Sequence, residues 1–189
     1  MPRRSPISHD SARERAVSAA LALFEARGYH GVAVPEIAKA AGLAIGSLYR
    51  VAPSKEALAN HVFQAVQGRF NTRIFAPFPA NRALKERFSL FWRRLSDWTV
   101  EETVAARFLF LQQHAAYLDA TSLLLEQPWC DAVDGFAREG ALTGQLKPLS
   151  PEVVSSLVWG PLAGLLRRNA VTRDHLAALE SAIWDSLAQ

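Results

Sequence analysis

Three observations predict an all-α fold. Apolar residues recur at three- and four-residue intervals along most of the chain, no run alternates polar with apolar as a half-buried strand does, and glycine or proline sits between the periodic stretches. Half of the 189 residues are apolar, enough for a substantial core and too many for a disordered or fibrous chain.

The first predicted helix puts Val17, Ala20, Leu21 and Phe24 on one face and stops at Gly28, a residue suited to a left-handed cap. A second apolar segment, 35–41, ends in Gly42, which can take the positive φ of a sharp inter-helix turn. A third, short segment over 45–51 follows. Long helix, short helix, glycine turn, short polar helix is the order of a helix-turn-helix that enters a DNA groove. Ser54 can cap a fourth helix running through Leu58, Val62, Phe63 and Val66 toward Phe70.

Beyond it, Pro77 and Pro79 break the chain within 75–81. A helix over about 82–99 carries Leu84, Phe88, Phe91, Trp92, Leu95 and Trp98, and the next covers roughly 101–117. Another begins near Asp119 and ends at Gly140, with Pro128 set to kink or split it. After a loop at 144–152, Ser150 as cap and Pro151 at the first helical position start a helix to about Asn169. The last spans 172–187. The count is about nine helices, divided into a DNA-binding unit (1–53), a linking helix (54–74) and a helical ligand-binding and dimerisation unit (75–189).

Residues 1–60 hold eight Lys or Arg against five acids, while 61–189 hold thirteen of each, so the net charge of +3 lies entirely in the first third. Counterion release on binding a polyanion makes that asymmetry useful toward nucleic acid, although N-terminal arginines can also merely solubilise a tail. The longest apolar stretches, 104–111 and 157–166, are interrupted and too short for a membrane span, and no apolar run follows the opening residues. With one cysteine, Cys130, there is no disulfide framework, and the expected location is the cytoplasm. Cys130 itself is expected to be a buried small apolar residue.

Three blocks, AALALFEARGY at 19–29, EIAKAAGLAIGSLY at 36–49 and SKEAL at 54–58, together resemble the N-terminal domain of the TetR family of bacterial transcriptional repressors, in order and spacing. Two more, at 108–119 and 137–166, are similar to the ligand-domain helices of one subgroup. The resemblance implies a homodimer that binds a palindromic double-stranded DNA operator and releases it when a small-molecule effector occupies the C-terminal domain. Against the family pattern, Ala33 and Ala44 stand where a capping threonine or serine is common, and Val51 and Ala52 where an aromatic or histidine precedes phenylalanine. These departures weaken the expected helix starts and put DNA affinity and operator sequence in question.

The third helix then supplies Ile45, Gly46, Ser47, Tyr49 and Arg50 to the groove. Arg50 suits a guanine edge and Tyr49 a phosphate, with packing against the first helix as the other reading of Tyr49. Lys55, in the first turn of the fourth helix, sits where an anion is already favoured. Arg13, with Arg3 and Arg4, can follow the backbone. In the C-terminal part, Trp92, Phe110, His114, Tyr117 and Trp129 offer ring surface and polar tips for an apolar cavity, while ordinary core packing explains each of them singly. Ser156, Gly160 and Gly164 form one stripe without bulk, and Leu176, Leu179, Ile183 and Leu187 an apolar stripe on the next helix. Together they form the expected dimer interface. No histidine spacing suits a metal, no cofactor motif is present, and no acid–base pair accompanies a nucleophile, so no enzyme is expected. Two alternatives remain: a helical ligand-binding protein that has lost DNA binding, and a helical enzyme using the aromatic cavity.

Overall fold

The structure, a computed structural model, describes residues 9–77 and 82–189, and these form ten α-helices with no strand among them. They are α1 (His9–Arg27), α2 (Val34–Ala41), α3 (Ile45–Val51), α4 (Lys55–Ile74), α5 (Leu84–Glu101), α6 (Thr103–Leu111), α7 (Ala120–Leu124), α8 (Gln127–Leu142), α9 (Pro151–Arg167) and α10 (Arg173–Leu187). Arg3, Arg4 and Pro79 lie outside the described residues.

Helix α1 packs on α2, α3, α4 and α6. Its buried stripe is Ala12, Ala16, Ala20 and Phe24, one position round from the expected face, which leaves Val17 and Leu21 half-buried. Three alanines let neighbouring backbones come close; Phe24 fills the wider end. Gly28 and Gly42 take φ of 73° and 63°, as the two turns require. At Gly42 there is a second reason: Arg15 Nη2 donates to its carbonyl at 3.0 Å and occupies the space a Cβ would need.

The starts of the short helices show how a missing cap is partly offset. Alanine has no side-chain acceptor, so at α2 only half of a capping box forms, Ala33 N–H donating to Glu36 Oε2 at 2.9 Å. Pro35 removes one donor outright, and the Glu36 amide turns back to the Ala33 carbonyl at 3.0 Å. At α3 the Ser47 amide likewise reaches the Ala44 carbonyl at 2.8 Å, but Ile45 and Gly46 amides have no such arrangement. Ser54, in contrast, caps α4 through the Ala57 amide at 3.1 Å. Val51 and Ala52, 7% and 2% exposed, complete the core between α1 and α4, so neither is available to DNA.

The expected helix over 101–117 ends at Leu111, although no proline or glycine stops it. The cause is tertiary. His114 Nε2 donates at 2.9 Å to the Phe108 carbonyl, one of the orphan acceptors of the last turn of α6. Asn60 of α4 then captures the following loop: its Nδ2 donates to the Tyr117 carbonyl at 2.7 Å, and its Oδ1 accepts from the Asp119 amide at 2.9 Å and from Ser122 Oγ at 2.7 Å. Continuing the helix would forfeit all of these in a site where Asn60 is 5% exposed. Asp119 caps α7, and Pro128 falls in the first turn of α8, so the helix over 119–140, expected to kink or split at Pro128, is split into two.

Helices α5, α8, α9 and α10 build the remaining core, α5 and α9 each packing on α10 and α8 packing on α9. Leu176, Ile183 and Leu187 of α10 are 1–3% exposed within this subunit. That corrects the expectation that they form a dimer stripe: α10 uses them to dock on its own neighbours, leaving only Leu179 half-exposed. Ala178, Ser181, Ala182 and Asp185 face outward instead. Cys130 is exposed on α8, not buried.

Because Ala44 already has the extended backbone of an N-cap, with φ −65° and ψ 145°, Ala44→Ser is expected to raise stability by ~0.5–2 kcal/mol, read as a higher thermal midpoint. Ala33→Thr should gain less, since Pro35 and Glu36 have already reduced the orphan donors there. Equal gains at the two sites would overturn this account of the helix starts.

Candidate functional site

Helix α3 is anchored by Leu48 and Val51, 1% and 7% exposed, which turn its opposite face to solvent. On that face Ile45 and Tyr49 are 46% and 47% exposed, unusual for large apolar groups, with Gly46 and Arg50 exposed beside them and Ser47 half-buried. Arg50 Nη2 donates to Ser47 Oγ at 2.8 Å, one helical turn apart. Ser47 thereby holds the guanidinium along the helix, a role its residue type alone did not reveal. Tyr49 does not pack into the core; its exposure disposes of that reading.

Lys55, in the first turn of α4, places Nζ 4.3 Å from the ring centre of Tyr29. The Tyr29 hydroxyl donates to Glu56 Oε1 at 2.9 Å, and burial, then Glu56, pushes its pKa up to about 12. Tyr29, which the sequence reading left unassigned, therefore orients the Lys55 ammonium. Arg13 is exposed on α1 and near enough to His61 to lower the pKa of that imidazole further, after the larger effect of burial.

The five residues expected to line one ligand cavity separate into three places. Trp92 is 1% exposed and donates from Nε1 to the Leu176 carbonyl at 2.7 Å, so it fastens α5 to α10 as a core residue. His114 and Tyr117 lie where α1, α4 and α6 meet, bonded to each other at 2.5 Å, with the Tyr117 ring 4.5 Å from that of Tyr29. Their polar tips are already satisfied and are unavailable as handles. Phe110 and Trp129 form the third group, joined through Trp159, whose centroid is 4.7 Å and 4.4 Å from theirs. Trp159 escaped the sequence reading because one ring on an apolar helix gives no pattern.

Beside Trp129 an apolar cavity of about 300 Å³ opens between α5, α8 and α9. Phe75, Phe88, Phe91, Phe136, Val154 and Val158 supply its walls, with Arg87, Asp131 and Glu139 at polar positions. That is the make-up of a small-molecule site: ring surface and a few convergent polar groups. A larger groove of about 980 Å³ between α5 and α10 is edged by Lys85, Glu86, Arg93, Asp97 and Arg173. Its opposite charges partly pair, Arg173 with Asp97 at 3.0 Å, and Leu90, Trp92, Val100 and Leu176 are among its lining residues.

Two stretches of the chain match two models of one family: residues 16–62 match bacterial regulatory proteins of the tetR family, and residues 63–189 the tetracyclin repressor-like C-terminal domain. The chain belongs to the TetR family. The fatty acid metabolism regulator protein of Bacillus subtilis is 24% identical over 149 residues, 77% of each chain. A TetR family regulator from Marinobacter aquaeolei VT8 superposes with a TM-score of 0.80 at 22% identity, over 95% of this chain and 97% of that one. The structure of AibR with isovaleryl coenzyme A and operator DNA gives 0.77 at 17% identity, over 94% and 98%. As a TetR protein this chain is a ligand-responsive, DNA-binding transcriptional regulator. None of its described helices is long and apolar enough to cross a membrane.

The junction between α1, α4 and α6 makes stability depend on pH. With Nε2 of His114 donating to a carbonyl, Nδ1 accepts from the Tyr117 hydroxyl, so the ring is neutral. Burial lowers the pKa of His114, and burial followed by Arg13 lowers that of His61, while in the unfolded chain both titrate near 6.5. Below that pH the unfolded state binds protons first, so stability is full above about 6.5 and falls as pH drops toward the native values. Thermal midpoints at pH 7.5 and about 5.5 should show this loss, and His114→Gln, which does not titrate, should lessen it. An unchanged slope in the variant would remove His114 from the explanation.

Proposed function

We propose that this TetR protein is a homodimeric repressor that reads a palindromic operator with α3 and releases it when an apolar or aromatic molecule fills the cavity between α5, α8 and α9. The exposed face of α3, held up by buried Leu48 and Val51, is the observation that carries the reading. Ile45, Gly46 and Arg50 meet base edges, Arg50 taking a guanine from the position Ser47 gives it. Tyr49, Lys55 and Arg13 meet phosphates. The substitutions at Val51 and Ala52 do not remove this surface, because both side chains face the core. Acyl groups belong among the molecules to screen, since one relative is named for fatty acid metabolism and another was solved with isovaleryl coenzyme A.

For the dimer, the outer face of α9 carries the reading: Ser156 and Gly160 are exposed, Gly164 is half-buried, and a Cβ at either glycine would meet nothing within 4 Å in its own subunit. A partner helix can approach closely there, with the small outward residues of α10 alongside. Two heads held by such a dimer would reach half-sites roughly 34–36 Å apart or a multiple of that spacing.

Lys55→Ala should weaken binding similarly on all sequences and flatten its salt dependence, whereas Arg50→Ala should also relax base preference, both read in gel shifts with the DNA flanking the gene. If Arg50→Ala weakens every operator variant equally, Arg50 does not read bases. Absence of any sequence-specific shift would mean that DNA binding has been lost.

Gly164→Leu adds a side chain into space that is open within its own subunit and improves helix propensity, so the subunit should keep its fold and thermal midpoint while sedimenting as a monomer. A dimer of unchanged stability would place the interface elsewhere.

A further inference from the structure

Four rings in the wall of the cavity between α5, α8 and α9 are only half-buried: Phe75, Phe91, Trp129 and Phe136. Ring surface is therefore left for whatever enters. Centroids step from Phe75 to Trp129 at 6.4 Å, on to Phe91 at 5.8 Å, to the buried Phe88 at 6.5 Å and to Phe136 at 6.1 Å, with neighbouring planes inclined by 35–49°. Rings so inclined make a curved wall, not a flat stack. The Trp129 indole N–H donates to Ser155 Oγ of α9 at 3.2 Å, which uses its polar tip and leaves the ring face as its contribution. Aromatic faces carry the negative side of the ring quadrupole, and indole is the strongest of them toward a cation.

Helix α8 adds two carboxylates with a gap between them. Asp131, Gly135 and Glu139 follow at four-residue intervals and all line the cavity, so they share one side of the helix. A glycine in mid-helix costs helix stability, and here it leaves open space, since a Cβ on Gly135 would meet nothing within 4 Å. One carboxylate stands about one helical turn to either side. Both acids are exposed and within reach of an entering group. Arg87 pairs with Glu139, whereas Asp131 accepts from the uncharged Gln127 Nε2 at 2.7 Å. Among the residues that line the cavity, one cation therefore faces two carboxylates. An anion meets repulsion there and a neutral group gains nothing from the charge. A cation gains from the carboxylate and from the ring faces together.

Resting on the reading of this cavity as the effector site, we propose that its ligand is a compact organic cation, an aryl or alkyl ammonium, with its charged head in the gap at Gly135 and its apolar body among the rings. A volume of about 300 Å³, at the small end of the range for ligand sites, sets the size of that body.

Three probes of nearly equal shape test this: phenyltrimethylammonium, its neutral isostere tert-butylbenzene, and benzenesulfonate with the opposite charge. Calorimetric titration of the purified protein should rank the cation about fivefold or more above tert-butylbenzene, the gain expected of one partly desolvated cation–π contact, and benzenesulfonate last. Asp131→Asn keeps the shape and an acceptor for Gln127 while removing the charge. It should weaken the cation about threefold or more, as expected for one exposed charge contact, and leave tert-butylbenzene unchanged. Gly135→Leu fills the gap with a better helix former, so it should abolish binding of the cation without lowering the thermal midpoint. Equal affinities of the three probes, strongest binding of benzenesulfonate, or cation affinity that survives either substitution would each overturn the proposal while leaving the cavity as a site. Gel shifts run in parallel separate the two readings: cation-selective binding that does not release the operator would uphold the cation site and overturn its role as effector site. Failure of all three probes to bind would overturn both.

Discussion

Helix α4 has to be buried on two sides at once, and the rest of the chain is arranged around that requirement. Its Leu58, Ala59, Val62, Phe63, Val66, Phe70 and Ile74 are at most 2% exposed, one end walled by α1 and the other by α5 and α6. Apolar contact alone would leave the polar backbone of the irregular segment between α6 and α7 unmatched against this wall. Asn60 resolves that conflict with one amide, donating to the Glu56 and Tyr117 carbonyls and accepting from the Asp119 amide and Ser122 hydroxyl. Ser122 is 0% exposed and receives Gln64 Nε2 as well, so the network is closed and its members satisfy one another.

The same junction ties the DNA-reading face to the cavity by short, directed contacts. Arg107 on α6 donates from Nε to Glu25 of α1 at 2.5 Å, and from Nη1 to the Leu166 carbonyl at 2.7 Å and to Asn169 at 2.6 Å. Three helices, α1, α6 and α9, therefore meet on one guanidinium. Helix α9 is also a cavity wall through Val154 and Val158. Only a ligand that binds two arrangements of these helices unequally can shift their balance. A contact set in which the cavity wall and α1 are joined through α9 and one arginine gives such a difference a physical route.

The N-terminal helices were readable because their signals are local. Gly28 and Gly42 mark turns by conformational preference, Ser54 marks a start by its hydroxyl, and the buried stripe of α1 departed from the expected face by one position. Where a reading failed, the deciding contact lay far away in the chain. No proline or glycine stands within 112–119; the break comes from the bond of His114 to the Phe108 carbonyl and from the distant Asn60. Trp92, His114 and Tyr117 belong to the expected list of rings and polar tips, yet their polar atoms are used by Leu176, Phe108 and one another. An apolar stripe on α10 likewise says that a face is buried, but not whether a partner or the subunit itself covers it.

What the sequence by itself determined is the all-α class, the order of the helices, the three-helix reader with its glycine turns, and the family. Each follows from periodicity, backbone preference or motif spacing, which act over a few residues. Only the tertiary structure decided which rings line a cavity and which faces of α9 and α10 remain free. Those outcomes depend on which groups are driven together from distant positions when apolar area is removed from water, and burial is not directional enough for a linear pattern to specify its partners.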